Sequence, residues 1–364
     1  MTEHLDRLLR DTVTDLAAES EPRDLMPEVL ARAKRIRRRQ WSGYLAAALT
    51  VVLVLTVPYL STRHDRSAPT ITVSPAPSAS TAPPPENLDR PVALPYGWVV
   101  TAAGQISVAQ GGSSYVLDRT THRYVRLDYP VAVPAPTGPL VAVASLNGEG
   151  VGLLDRRTGH VTWPQRVAPN SPEWSPDGTR LLVTIDYRGF ATIDAATAEV
   201  QTHLVDGDHP CNDDCTFTWY PDGKQVIRAE TDTSVPHNEA LPDVQRGLRL
   251  FDATTGAPGE LLPVHGIVAR AGNWSPDRRT VLVTGTVVNG ATRHSGYQLV
   301  ESATGRVLAA FPGQPWTTWW VDDRHLLTLS DRLKLCGVRT TGQAESCATL
   351  PTAFFQLNVE IGPG

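Results

Sequence analysis

The sequence predicts an all-β, six-bladed β-propeller, preceded by a short α-helical cytoplasmic segment and a single transmembrane helix. Three observations carry that prediction. A turn phrase, acid-x-x-Thr and usually Gly, recurs at 118–122, 155–159, 194–198, 252–256 and 301–305, and without its acid at 338–342. The steps between its threonines are 37, 39, 58, 49 and 37 residues, and a period of about 40 to 50 built from short strands marks a propeller blade. Finally, six basic residues stand directly before an uncharged apolar run, 42–60.

The first 40 residues read as two short amphipathic helices. Leu5, Leu8, Leu9, Val13 and Leu16 recur at helical spacing, as do Leu25, Met26, Val29, Leu30 and Ile36, with Pro22 breaking the two. Such a piece buries too little to be stable by itself. It predicts a cytoplasmic segment that sets topology or docks a cytoplasmic protein.

Residues 41–61 predict the membrane span. A helix rising 1.5 Å per residue needs about 20 apolar residues to cross the hydrocarbon layer. Trp41, Tyr44 and Tyr59 suit its two interfaces. Arg32, Lys34, Arg35, Arg37, Arg38 and Arg39 on one flank, against Arg63 and Arg66 on the other, place the N-terminus in the cytoplasm. Arg38-Arg39 before the run also suits a twin-arginine signal peptide, but the leading segment is long for one and no A-x-A site follows. Only three of the 33 basic residues are lysine, a skew expected of a GC-rich, bacterial genome. The expected location is therefore the bacterial cell membrane, single-pass, with the C-terminal part extracytoplasmic.

Residues 62–90 form a Pro/Ser/Thr/Ala-rich linker with six prolines from Pro69 to Pro85. It cannot bury a core and favours polyproline II, with a reach of about 80 Å when fully extended.

Residues 91–364 are the propeller, divided as 96–130, 131–165, 166–206, 207–264, 265–313 and 314–352. A second phrase opens the blades: Trp174, Pro176, Asp177 and Gly178, then Trp219, Pro221, Asp222 and Gly223, then Trp274, Pro276 and Asp277, with weaker echoes at 134–138 and 320–324. Pro presets φ, Asp bonds back to the backbone and Gly accepts a positive φ, so each phrase is a tight turn between strands. In the third blade this predicts strands at 180–186, 189–194 and 200–205, with the tryptophans packed between blades. A last strand, 354–361, is expected to close the ring near the N-terminal strands and remove its open edges.

The stretch Trp-Ser-Pro-Asp-Gly-Thr-Arg-Leu-Leu at 174–182 resembles the WD40-like propeller repeat of the TolB family, as do 219–227 and 274–282. The resemblance implies a propeller used for protein contacts or for ligands at its central channel. The chain departs from that family in having an anchor and in lacking the α/β domain that precedes its propeller, so no Tol-Pal role is implied. The N-terminal layout resembles that of membrane anti-sigma factors, without their His-x3-Cys-x2-Cys zinc pattern, since no Cys precedes Cys211.

All four cysteines follow the span. Cys336 and Cys347 are equidistant from the 341–342 turn, which predicts that they face each other across a hairpin as a disulfide. Cys211 and Cys215 are close enough to staple a small loop. The acidic loop 206–214 has oxygens for Ca²⁺ but not the ordered alternation of a calcium motif, and His209 alone is too little for zinc. No metal or cofactor is expected.

Net charge of −5 excludes a nucleic-acid binder. There is no G-x-S-x-G, H-E-x-x-H or G-x-x-x-x-G-K-[ST] motif, and Asp118, Asp155, Asp194 and Asp252 stand where turns need them rather than as catalysts. The expected function is binding or sensing of a protein, peptide or glycan, with the long fourth blade as the first place to look. The rival is a lyase- or glycosidase-type propeller enzyme, which predicts carboxylates, His or Arg converging at the channel mouth.

Overall fold

The computed structural model describes residues 88–364 apart from 106–110, 145–149, 165–170, 186–187, 206–208, 212–215, 236–243, 285–295, 312–316, 332 and 356. The predicted segments 1–40 and 41–61, and the linker as far as residue 87, lie outside the described residues. Among the described residues no helix is long and apolar enough to cross a membrane.

Six antiparallel sheets account for the described chain. Blade 1 holds Trp98–Gly104 (β1), Ser114–Asp118 (β2) and Arg123–Leu127 (β3). Blade 2 holds Val131–Pro134, Leu140–Ala144, Val151–Asp155 and His160–Thr162 (β4–β7). Blade 3 holds Glu173–Trp174, Arg180–Ile185, Gly189–Asp194 and Val200–Leu204 (β8–β11). Blade 4 holds Thr218–Trp219, Gln225–Thr231, Gln245–Asp252 and Pro258–Leu262 (β12–β15). Blade 5 holds Thr280–Thr284, Tyr297–Glu301 and Val307–Phe311 (β16–β18), with the Trp274–Val281 bridge in place of an inner strand. Blade 6 holds Thr318–Asp322, His325–Asp331, Lys334–Arg339 and Ala344–Thr349 (β19–β22). Each falls inside its predicted bounds.

Closure is made by the last strand, Asn358–Pro363 (β23), which pairs antiparallel with β1 from Trp98–Pro363 to Gly104–Asn358. It begins four residues later than predicted, because Thr352–Phe354 forms a 3-10 turn after Pro351. The fully buried Phe354 packs there against Tyr115 and Tyr124. Gaining those aromatic contacts takes the segment out of extended geometry.

The middle strands of the blades are largely buried on both faces, as in Leu181, Leu182 and Val183 of β9, whereas outer strands such as β11 are mostly exposed. The sequence therefore encodes a radial gradient: both faces of a middle strand meet neighbouring blades, and the rim meets water. The buried residues form six clusters, each shared by adjacent blades. Leu182 and Phe190 of blade 3, for example, join Phe217, Trp219, Val226 and Phe251 of blade 4.

The repeat tryptophans stitch these junctions. The indole Nε1–H of Trp174 donates to the Val133 carbonyl of blade 2 at 2.8 Å, and that of Trp219 to Glu173 of blade 3 at 3.0 Å. Trp320 donates to Asn273 of blade 5 at 2.9 Å. Trp274 instead sets its ring edge-on to Tyr220, and its Nε1 meets no acceptor among the described residues. Truncating such a buried ring costs roughly 3–5 kcal/mol.

Cys336 of β21 and Cys347 of β22 are register partners with Cα atoms 4.0 Å apart and form a disulfide. A bulge follows, so that Val338 opposes Ala344.

Candidate functional site at the loop end of the channel

A four-strand meander sends its connections alternately to the two ends of the ring. In blades 2 to 6 the first and third connections share one end, and these carry the two repeated phrases; blade 1, whose inner strand is β23, has only the second of them. The second connection and the link to the next blade share the other, and there the chain is irregular.

At the repeat end the acids are consumed by their own turns. Asp194 accepts from the amides of Ala196 and Thr197 and from the Thr197 hydroxyl. Asp252 does the same with Thr254 and Thr255, and Asp118 with Thr120 and Thr121. Asp155 takes the Arg157 amide and guanidinium. In the blade-opening phrase, Asp177 accepts from Ser175 and Thr179, Asp222 from the amides of Lys224 and Gln225, and Asp277 from Ser275 and Arg279. These bonds hold Asp118, Asp177, Asp194, Asp252 and Asp277 below the ordinary carboxylate range. The remaining phrase residues close the same turns: Pro176, Pro221 and Pro276 start them, and Gly178 (φ 73°) and Gly223 (φ 66°) supply the left-handed position.

The loop end is different. Inner strands run from the loop end to the repeat end, so their first residues line the loop-end half of the channel. Glu173 of β8 accepts the Trp219 amide of blade 4 at 2.8 Å and the Ala271 amide of blade 5 at 2.6 Å. Protein surrounds it on all sides, yet it keeps some accessible surface, as a side chain lining a narrow channel does. Burial lifts its carboxyl to about 7, against the downward pull of the two amides and of Arg270. Arg270, at the entry to blade 5, pairs with Glu360 of β23 at 3.2 Å, and its guanidinium lies 5.0 Å from the Trp319 ring centre. Asn358 also donates to Glu360, at 3.3 Å. Carboxylates and a guanidinium from blades 1, 3 and 5 thus converge at this end.

Blade 4 carries the second feature. Its links 205–217 and 232–244 both leave from the loop end of their strands, and near that end of β13 Glu230 is buried to 1 % exposure. Arg249 grips it with Nε at 2.8 Å and Nη2 at 3.1 Å, Arg246 Nη1 lies at 3.2 Å, and His209 Nδ1 at 2.9 Å. Burial pushes Glu230 up, but the bonds from Arg249 and His209 outweigh it and the carboxyl ends below its ordinary value. Arg228 donates to the His209 carbonyl and lies over Phe217 and Phe251; burial lowers it to about 10. The network ties the base of the 205–217 link to the blade.

Cys211 in that link is disulfide-bonded; Cys215, its predicted partner, lies outside the described residues, as does most of the acidic loop. Among the described residues no group of His, Cys, Asp and Glu is placed to hold a metal ion.

The sequence reading singled out none of Glu173, Arg270, Glu360, Arg228 or Glu230. A signal was present. Glu173, Thr218, Asn273 and Trp319 each precede a repeat tryptophan, and an acid at one copy of an inner-strand position is an anomaly. In blade 4, Arg228 and Glu230 fall two apart in a strand otherwise built for burial.

No protein-family model matches the chain, and no curated protein matches it. Among solved structures, the dihydro-heme d1 dehydrogenase NirN in complex with DHE aligns with a TM-score of 0.41 and 17% identity over 79% of this chain. The match spans 62% of that protein's length.

Proposed function

We propose that this chain is a TolB-like, membrane-anchored bacterial propeller whose loop end binds a protein, peptide or glycan outside the cytoplasm. In this reading residues 41–61 cross the membrane once, residues 62–90 hold the propeller away from it, and residues 1–40 remain in the cytoplasm, where they are available to a partner in the manner of an anti-sigma-like regulator. One observation supports the binding face above the others. The irregular connections gather at one end of the ring, and in blade 4, which has the longest pair, His209 of the first link is bonded to a buried and fully engaged carboxylate, Glu230. Placing a charge at such depth is costly unless it is paired, and here the pairing fixes the footing of a loop, which is what a preorganised binding surface requires.

Crosslinking of the intact protein in membranes, followed by capture, tests this reading. A partner captured by the wild type and lost when 236–243 is shortened supports it; unchanged capture with that loop and the 206–216 loop both shortened overturns it. Reporter fusions at residues 20 and 90 test the topology, with opposite sides of the membrane expected.

A lyase- or glycosidase-type enzyme is the second reading, favoured by the convergence of Glu173, Arg270 and Glu360 at the channel. Against it, both Glu173 oxygens already accept backbone amides, whereas a general acid or base needs an oxygen aimed at substrate. Turnover of a captured peptide or glycan, abolished in Glu360→Gln, would favour the enzyme.

A further inference from the structure

The bonds of the Arg270 guanidinium are unevenly distributed. Nη1 donates to both oxygens of Glu360, and one flat face stacks on Trp319. Nε is buried and meets no acceptor among the described residues. Buried donors without partners are uncommon in native proteins, and each such case asks for an explanation. The Nε–Nη2 edge is the edge of arginine that receives a carboxylate through two parallel hydrogen bonds.

Two acids act on this guanidinium. Glu360, from blade 1, is neutralised by Arg270 itself. Glu173, from blade 3, is the charge that would repel an incoming anion. The charged groups acting on Glu173 are Arg270 from blade 5 and Glu360 from blade 1. When Glu173 takes up a proton, the cluster passes from one net negative charge to neutral.

We propose that the Nε–Nη2 edge of Arg270 is the seat of a ligand carboxylate. The proposal rests on reading the loop end as the ligand-binding face and names the chemistry recognised there. A singly charged carboxylate fits better than a phosphate dianion, because the Glu360 side chain lies beside it. A peptide C-terminus and a uronic acid both offer that group.

Ligand-observed NMR on the full-length protein tests the proposal, with N-acetyl-Ala-Ala as free acid and as amide, and glucuronate beside glucose. The free acid or glucuronate is expected to bind and its uncharged counterpart not; whichever acid binds identifies the source. Affinity should be about tenfold tighter at pH 6 than at pH 8, following the protonated fraction of a group titrating near 7. In Glu173→Gln that pH dependence should vanish, and Arg270→Lys should weaken binding at least tenfold at unchanged melting temperature. Should Arg270→Lys fail to fold, the comparison of acid with amide decides. Equal binding of acid and amide overturns the proposal. If the carboxylate fails to bind while the crosslinked partner is still captured, the binding-face reading stands without this site.

Discussion

Glu173 and Trp219 are joined twice across the boundary of blades 3 and 4. The Trp219 amide donates to Glu173 Oε2 at 2.8 Å, and the Trp219 indole donates to the Glu173 carbonyl at 3.0 Å. One residue of the channel wall is thus bonded through its side chain and through its backbone to the same neighbour. Trp219→Phe keeps most of the ring but leaves the Glu173 carbonyl unpaired, so a loss of about 1–3 kcal/mol is expected in urea unfolding. A loss below 0.5 kcal/mol would show that the indole bond is not maintained.

Burial of Glu173 gives stability a pH dependence of unusual sign for a carboxyl group. Glu173 is raised from an ordinary 4.5 to about 7, so the folded state holds its proton more tightly than the unfolded chain. Its contribution is full below 4.5 and is lost as pH rises through 7. The wild type should therefore lose on the order of 2 kcal/mol from this group between pH 5 and pH 8, after allowance for its contact with water. Glu173→Gln should remove that slope. The turn acids work in the opposite sense and at lower pH: being depressed, they stabilise above the ordinary carboxylate range and are lost below it. Urea midpoints of both proteins at pH 5 and pH 8 separate the two effects.

Three residues occupy turn positions that glycine fills elsewhere. His122 (φ 55°) and Ala198 (φ 58°) take the place of Gly159, Gly256, Gly305 and Gly342, and Arg278 (φ 63°) takes that of Gly178 and Gly223. A left-handed backbone costs a non-glycine residue roughly 1–2 kcal/mol, partly offset by the greater freedom of glycine in the unfolded chain. Arg278→Gly should stabilise by about 0.5–1 kcal/mol. Gly305→Ala should be strongly destabilising, because its Cβ would lie 1.8 Å from the Pro263 carbonyl oxygen. Thermal melting of the two variants should move in opposite directions.

Removing Glu230 strands the groups that hold it. Glu230→Ala takes away the acceptor of Arg249 Nε and Nη2 and of His209 Nδ1, and a loss of about 3–5 kcal/mol is expected. The base of the 205–217 link should then become protease-sensitive before the rest of the ring. Limited proteolysis with mass mapping reads this directly; uniform sensitivity would show that Glu230 supports the whole blade rather than the link.

The disulfide of blade 6 closes a short loop, with a sequence separation of 11. By loop entropy, replacing both cysteines by Ser should cost about 2–3 kcal/mol, and reducing agent should lower the melting temperature of the wild type but not of the variant.

The ring was legible because its determinants are local and repeated. Turn residues impose φ values within four or five positions, and a bonded acid such as Asp194 serves its turn wherever the phrase occurs. The Cys336–Cys347 pairing followed from the same logic, since a hairpin converts sequence distance into register. The channel cluster was not legible, because Glu173, Arg270 and Glu360 come from three blades and meet only once the ring closes. The start of β23 was missed for a related reason: the pull on Phe354 comes from Tyr115 and Tyr124, more than 200 positions earlier.

The pairing of β23 with β1 also orders events in time. Until residues 358–363 emerge and dock, β1 presents a bare inner edge, and Glu360 is absent from beside Arg270. A chain delivered N-terminus first completes its other five blades while blade 1 still offers unpaired amides to any neighbouring strand. Ring closure and completion of the Arg270 cluster are therefore one event, and a chain lacking those six residues loses its inner seal and its charge balance at the same moment.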